Sequence, residues 1–348
     1  MRILAWPAYA NTTGNPYNRL LSDALEDQGV EVHEFTPERA IKGTYDLWHM
    51  HWPDDALSYP SLARAAGMTI SELALMAWAR ARGTRMVWTV HDLGPHDDYH
   101  PLLEQLFWWG FIPQVDGYIS LSATGRELAR AQHPRLEQLP SKVVPHGHYR
   151  SAYPPPLPRT EGRTALGMDD DVPVVLYLGR IRPYKNVGRL IRTFKAMNHP
   201  EARLVVAGNP VNATLRESLQ YAAAADPRVR LDLRFIPTDL VPTYMAAADL
   251  VALPYDNVLH SGAALLALSF NRPVMVPARG AMRELQEYVG DAWVNTFDGR
   301  LTPSALSNGL DWARGQDRPD KAPLDLFRWD VLAKRTVDLY QQVLTTRG

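Results

Sequence analysis

The sequence predicts an α/β protein with two halves, each a parallel sheet with crossover helices, and three observations carry that expectation. Short runs rich in β-branched and aromatic residues alternate with longer helix-period segments along the whole chain, the pattern of parallel strands joined by helices. The length of 348 residues suits two domains at roughly 150 residues each. A proline cluster within Ser151–Gly162 interrupts the alternation near the middle, where prolines fix φ and remove ladder donors.

In the first half the expected strands are Arg2–Trp6, Val30–Phe35, Leu47–Met50, Met86–His91, Gly117–Leu121 and Lys142–Pro145. Between the first two, Pro16–Gln28 places Tyr17, Leu20, Leu21, Ala24 and Leu25 at helical spacing, and Gly29 suits a C-terminal cap. After the prolines a second series runs Val174–Leu178, helix Val187–Met197, Leu204–Ala207, helix Asn212–Ala225, Val229–Phe235, helix Asp239–Ala247, Leu250–Leu253, helix Gly262–Phe270 and Val274–Val276. Trp329–Leu344 reads as a long terminal helix that packs back across the linker. The expected division is a domain over 1–150, a linker over 151–162, a second domain over 163–326 and the helix over 327–348.

Composition removes several function classes. Hydrophobic residues make up 46% and charged residues 22%, with 37 Lys+Arg against 38 Asp+Glu, unlike a disordered chain or a nucleic-acid binder. The absence of cysteine excludes disulfides, thiol nucleophiles and thiolate metal sites. The longest apolar runs, Leu106–Pro113 and Leu73–Ala79, are far shorter than the ~20 residues that span a bilayer. Arg2 leads directly into strand-like Ile3-Leu4-Ala5-Trp6, with no signal-peptide pattern, so a cytoplasmic protein is expected.

Neither a G-x-G-x-x-G fingerprint nor a P-loop occurs. Ligands of open parallel sheets lie beyond the carboxyl ends of the strands, so the loops after strands are where function is sought. In Gly179-Arg180-Ile181-Arg182-Pro183-Tyr184-Lys185, glycine permits close backbone approach, while forked guanidiniums and a lysine suit a diphosphate. Further on, Ser261-Gly262 opens an apolar helix whose free amides attract an anion, although Ser261 also serves as an ordinary cap. Tyr255, Asp256, Asn257 and His260 precede it, Phe235 ends another expected strand, and the Asn209-Pro210 exit of a third can present backbone groups to a nucleobase.

The first half carries nine of the eleven histidines. His51 and Asp54, His91, His96 and Asp97, and His146 and His148 all fall at or past expected strand ends, where a histidine beside a carboxylate suits a general base. The candidate catalytic residues are Asp97, His96, His91 and Asp54, with Asp97 or His96 the expected base. Gly14 and Asn15, ahead of the first helix, join His51, His146, His148 and Tyr149 as acceptor-side candidates. A metal site is not expected: His49 and His51 point to opposite faces of one strand unless the strand has ended, and Asp169-Asp170-Asp171 reads as a solvated turn.

These loops, in this order, resemble a GT-B glycosyltransferase over essentially the whole chain. More narrowly, His51-Trp52-Pro53-Asp54, Val90 to Asp97, His146 to Arg150, Ile181 to Lys185, Leu253-Pro254-Tyr255 and Ser261-Gly262 are similar to the β-mannosyltransferases of xanthan-type exopolysaccharide assembly. The resemblance implies two facing Rossmann-like domains, a GDP-sugar in preference to a UDP- or dTDP-sugar, and transfer of mannose or a related hexose with inversion. It also implies a general base in the first half and no required metal or other cofactor. By the same resemblance Arg180 or Arg182 with Lys185 holds the diphosphate, Ser261-Gly262 closes over it, and Tyr255, Asp256, Asn257 and His260, with Asn209-Pro210 and Phe235, are candidates for the nucleobase, ribose and sugar. Retaining members of the wider group carry two glutamates where Val258 and Leu266 stand here, which favours inversion.

Two acceptors are open, a polyprenyl-diphosphate glycolipid or a soluble small molecule. Residues 1–150 hold 13 Lys+Arg against 17 Asp+Glu, a balance of −4 that does not attract anionic headgroups and tilts the expectation toward the soluble acceptor. At most a peripheral membrane contact is expected, with Leu106 to Ile112 able to dip into an interface or to pack against the sheet. A non-catalytic nucleotide-sugar-binding protein is the alternative from another class.

Overall fold

The computed structural model describes residues 1–10, 15–94, 99–256, 259–315 and 317–346. They divide into two units, residues 1–147 with those from 326 onward, and residues 148–325.

Unit 1 runs β1 (Arg2–Trp6), α1 (Tyr17–Asp27), β2 (Glu31–Glu34), α2 (Pro37–Lys42), β3 (Leu47–Met50), α3 (Leu62–Ala81), β4 (Arg85–Val90), α4 (Pro101–Phe111), β5 (Gly117–Ser120), α5 (Ala123–Gln132) and β6 (Ser141–Val143). Its sheet has the order β2-β1-β3-β4-β5-β6, parallel throughout. Strands buried on both faces read as apolar runs, and β3 to β5 are buried at nearly every position.

Unit 2 runs α6 (Arg159–Ala165), β7 (Val174–Leu178), α7 (Val187–Lys195), β8 (Arg203–Ala207), α8 (Ala213–Ala223), β9 (Val229–Asp232), α9 (Val241–Ala247), β10 (Leu250–Ala252), α10 (Gly262–Ser269), β11 (Val274–Pro277), α11 (Ala281–Val289), β12 (Val294–Phe297) and α12 (Pro303–Gly315). The order β12-β11-β10-β7-β8-β9, again parallel, is the 3-2-1-4-5-6 arrangement of dinucleotide-binding folds. Unit 1 instead places its third strand on the other side of β1, the flavodoxin-like order with one strand added. Three further elements, α11, β12 and α12, extend the series past Val276. In β12 only Val294 and Phe297 are buried, so this edge strand lacks an apolar run to announce it.

The terminal helix α13 (Trp329–Thr345) belongs to unit 1. Its Leu332, Leu339, Tyr340 and Val343 are buried in a core with Tyr17, Leu21 and Leu25 of α1 and Ile3 of β1. Gly117 makes room for it, since a Cβ there would lie 2.4 Å from Val343 Cγ2. A second core on the other sheet face gathers Trp48, Trp88, Met76, Phe107 and Phe111 under α3 and α4.

The chain leaves unit 1 at Gly147 and re-enters it at Leu326. The proline-rich stretch therefore lies inside unit 2, and its last part is helical rather than a linker: Pro158 stands just before α6, where a helix tolerates proline. Gly162 then allows α6 to lie on α9, because a Cβ would sit 2.8 Å from the Thr243 carbonyl oxygen. The apolar run 106–112 is shared between two environments. Phe107, Trp108, Phe111 and Ile112 are buried, whereas Leu102, Leu106 and Trp109, one face of α4, are 76%, 62% and 81% exposed.

Candidate functional site

In unit 2 the strand order reverses between β7 and β10, so the loops after these two strands border the crevice where such sheets bind ligands. β7 ends in Gly179, with φ +137°, and β8 in Gly208, with φ +153°. The two loops run so close that a Cβ on Gly208 would lie 1.9 Å from the Gly179 carbonyl oxygen. The ladder resumes beyond them, with the Ile181 amide donating to the Asn209 carbonyl at 2.9 Å and the Val211 amide to the Ile181 carbonyl at 3.0 Å. Gly208→Ala has neither the φ nor the space it needs and is expected to cost about 2–4 kcal/mol of stability, read as a lowered melting temperature.

This scaffold presents Arg180, Arg182 and Lys185 in sequence. The Tyr177 hydroxyl donates to the Arg180 carbonyl at 3.1 Å, fixing the turn. Lys185 stands over the Tyr255 ring, its Nζ 5.6 Å from the centroid. Burial and the charges of Arg182 and Arg180 pull its pKa down to about 8. A diphosphate placed beside these three cations would reverse the last two effects, so its hold would depend on protonation. Donor KM is expected to rise as pH passes about 8, because the charged lysine is then lost. Initial rates of Lys185→Arg, which stays charged, should show a flatter limb.

The loop after β10 joins the same surface. The Asp256 amide donates to the Tyr184 carbonyl at 2.9 Å, and the buried Tyr255 hydroxyl hydrogen-bonds with Ser261 and Tyr177. Ser261 Oγ also accepts the Ala264 amide at 3.2 Å, capping α10, whose first turn has no acidic residue and begins at Gly262. Among the nucleobase and sugar candidates, Asn209 and Pro210 serve the β7–β8 scaffold, Pro210 through its bridge to Ile181. Phe235 is 51% exposed after β9, and His260 is half-buried next to the α10 cap. Asn257 lies outside the described residues.

In unit 1 the order reverses between β1 and β3. The loop after β1 spends three successive amides, those of Ala8, Tyr9 and Ala10, on the Glu34 carboxylate at 3.1, 2.5 and 2.8 Å. Gly14 lies outside the described residues, and the Asn15 side chain accepts the Tyr17 amide at 3.2 Å at the start of α1. β3 ends at Met50, so alternation no longer holds at His51, and the His49 and His51 rings lie 4.3 Å apart rather than on opposite faces. Two linked pairs result. His49 bonds Tyr340 OH at 2.6 Å and Thr89 Oγ1 at 2.7 Å, while His51 Nδ1 bonds His91 Nε2 at 3.0 Å. Burial holds His49 at about 3 and His146 at about 4, and burial with the neighbouring His49 holds His51 well below the usual value, so all three are neutral.

Tyr17, 2% exposed, ties these groups together, with ring centroids 5.8 Å from His51, 5.1 Å from His91, 4.6 Å from His146 and 5.4 Å from Trp329. Trp52 stacks on His91 at 4.3 Å. Asp54 follows, and burial with the charges of Asp55, Asp92 and Glu104 pushes its carboxyl up to about 7, against a backbone hydrogen bond that favours the charged form. Glu72 of α3, 8% exposed, is pushed up to about 8 by burial and by Asp55 and Asp54. An environment that holds a carboxyl near neutrality is the environment of a proton acceptor.

Unit 1 therefore brings together His51, His91, His146 and Asp54. His96 and Asp97 lie outside the described residues, and His148 and Tyr149 belong to unit 2, where the Tyr149 amide donates to Ser269 Oγ of α10 at 2.9 Å. Sequence reasoning gave no role in the site to Tyr17, Thr89, Glu72, Trp329 and Tyr340, while Trp52 and Gly208 lie in or beside the loops it singled out. Tyr340 stands 291 residues from the histidine it holds, beyond the reach of any spacing argument.

A family model described as glycosyl transferases group 1 matches residues 172–304. The GDP-mannose:glycolipid 4-beta-D-mannosyltransferase of Xanthomonas campestris pv. campestris is 30% identical over 339 residues, covering 97% of this chain and 91% of that protein. Among solved structures, sucrose-phosphate synthase from Thermosynechococcus elongatus superposes with a TM-score of 0.71 at 18% identity, covering 98% of both chains. HepE of Anabaena in complex with UDP-glucose does so at 0.65 and 17%, covering 99% of this chain and 98% of that one. At these identities the structural likeness speaks for the fold alone.

Proposed function

Because this chain belongs to the GT-B glycosyltransferases, in the family of the glycolipid β-mannosyltransferases, and is a nucleotide-sugar-dependent transferase, we propose that it moves mannose from GDP-mannose to a hydroxyl of a glycolipid. The observation that carries this reading is the likeness to the Xanthomonas enzyme over nearly the whole of both chains. In the proposed step the acceptor oxygen bonds to the anomeric carbon as the bond from that carbon to the β-phosphate oxygen breaks. The hydroxyl proton passes to a unit 1 base, and GDP departs with the bonding pair. Asp54 is the base we assign among the described candidates, and its carboxyl near 7 supports the role. Arg180, Arg182 and Lys185, with the amides at Ser261-Gly262, offset the charge on the departing diphosphate, which makes a metal unnecessary.

Incubation with GDP-mannose, GDP-glucose, UDP-glucose and dTDP-glucose and a glycolipid acceptor, with and without chelator, tests this directly. Turnover with GDP-mannose alone, unchanged by chelator and giving a β-linked product by NMR, is expected. An α-linked product overturns inversion, and the absence of turnover on every donor favours a binding protein.

The exposed Leu102, Leu106 and Trp109 face of α4 supports the glycolipid acceptor, since apolar side chains can enter the interface of a membrane without electrostatic attraction. No helix among the described residues is long and apolar enough to cross a membrane. The protein is expected to float with zwitterionic vesicles, and Leu106→Asp with Trp109→Asp to return it to the soluble fraction. Equal recovery of both proteins in the soluble fraction favours the soluble acceptor.

A further inference from the structure

A cavity of about 670 Å³ opens within unit 2 at the end of the sheet opposite the cationic loops. Its wall includes residues that lead into strands, Asp171 ahead of β7, Asp249 ahead of β10, Pro273 ahead of β11 and Trp293 ahead of β12. That volume lies in the ~300–1,000 Å³ range of small-molecule sites.

The floor of the cavity has an excess of donors. Asp249 is fully engaged, accepting from Arg159 at 2.7 Å, from Arg163 at 2.8 Å and from the Val174 amide at 2.7 Å. Arg272 donates through Nη1 to the Ala248 carbonyl at 3.3 Å, while its Nε is buried with no partner. The indole Nε1 of Trp293, a residue 3% exposed, is likewise buried and unmatched, as is Nε of the fully buried Arg163 behind the wall. Among the described residues, every unmatched buried side-chain atom of the wall is a donor. Burial and the charges of Arg159, Arg163 and Arg318 weaken the hold of Arg272 on its proton, against the opposing pull of Asp249. Crowded donors without acceptors are costly until an anion meets them.

The rim has the opposite character. Asp170, Asp171 and Asp320 are exposed there beside Arg314, and carboxylates accept from hydroxyls. Among the described residues of the wall the one aromatic ring is Trp293, which is 3% exposed and has the Arg318 guanidinium 5.7 Å from its centroid. A nucleobase thus lacks a platform, while a compact hydroxylated anion finds donors below and acceptors above.

We propose that this cavity is a second ligand site, separate from the cationic loops after β7, and that it takes a sugar phosphate, with the phosphate on Arg272 and the Trp293 indole and the sugar hydroxyls on the rim carboxylates. Protein labelled with ¹⁵N at the tryptophan indoles tests it, the Trp293 resonance being assigned by Trp293→Phe. Glucose 6-phosphate should shift that resonance saturably and at lower concentration than inorganic phosphate, and glucose should leave it in place. Arg272→Gln is expected to weaken the response ~10-fold or more, the scale of one lost charged hydrogen bond. Arg314→Gln, at an exposed rim position that does not endanger folding, should weaken it in the same direction, and Lys185→Gln should leave it intact. A resonance unmoved by either phosphate up to roughly 10 mM, an equal response to phosphate alone, or a response that survives both arginine substitutions overturns the proposal.

Discussion

Asp54→Asn is expected to lower kcat by ~10²–10⁴-fold, the span associated with a positioned general base, while donor KM changes little. Asparagine has nearly the same shape and removes a carboxyl whose burial disfavours its charge, so the variant should melt no lower than the parent. The pH profile makes the test specific. With Asp54 at about 7 and Lys185, proposed to bind the donor, at about 8, kcat/KM should climb as pH rises through the first value and decline beyond the second. The acidic limb should vanish in Asp54→Asn, whose small residual rate no longer waits on that carboxyl. A larger loss in His91→Gln, His96→Gln or Asp97→Asn, with the limb moved instead of removed, would transfer the role to that residue.

Much of this arrangement was legible in the residues themselves. β7 and β10 announce themselves as apolar runs ending in Gly179 and in Pro254-Tyr255, and cations and a serine cap can be read directly from the letters that follow. A site built from two loops after strands needs only local patterns. The unit 1 cluster is different in kind. Its histidines are visible in sequence, but their protonation depends on Tyr17, Trp329 and Tyr340, which arrive from α1 and from the far end of the chain. Asp54 looks like any loop aspartate until the fold buries it and gathers the charges of Asp55, Asp92 and Glu104 around it. The opposite-face reading of His49 and His51 assumed a strand that continues, and it stops at Met50. Proline density marks where helices cannot continue, yet Pro158 also stands where one begins, so the last residues of the expected linker are the first of α6.

A chain cut after Asp325 is expected to keep unit 2 folded and to lose unit 1. The cut removes Leu332, Leu339, Tyr340 and Val343, each fully buried or nearly so, at ~1.5–3 kcal/mol apiece. Their sum rivals the ~5–15 kcal/mol by which a domain is stable at all. It also strips the Tyr340 hydroxyl from His49 and leaves Gly147 without the Trp329 ring, which a Cβ there would meet at 2.3 Å. Hydrogen exchange should show rapid loss of protection in β1 to β6 and native protection in β7 to β12. Native exchange throughout unit 1 would mean that the sheet holds without its last helix.

Because residues 1–147 need the stretch after 325 to finish their helical layer, the order of synthesis and the order of folding run against each other. Residues 148–325 are contiguous and can fold as soon as they leave the ribosome, as domains commonly do. The earlier-made half must wait, with the face of α1 that will receive α13 uncovered, until translation has passed Val343. During that interval the nascent chain exposes Leu21, Leu25 and Tyr17 to any chaperone at the tunnel exit.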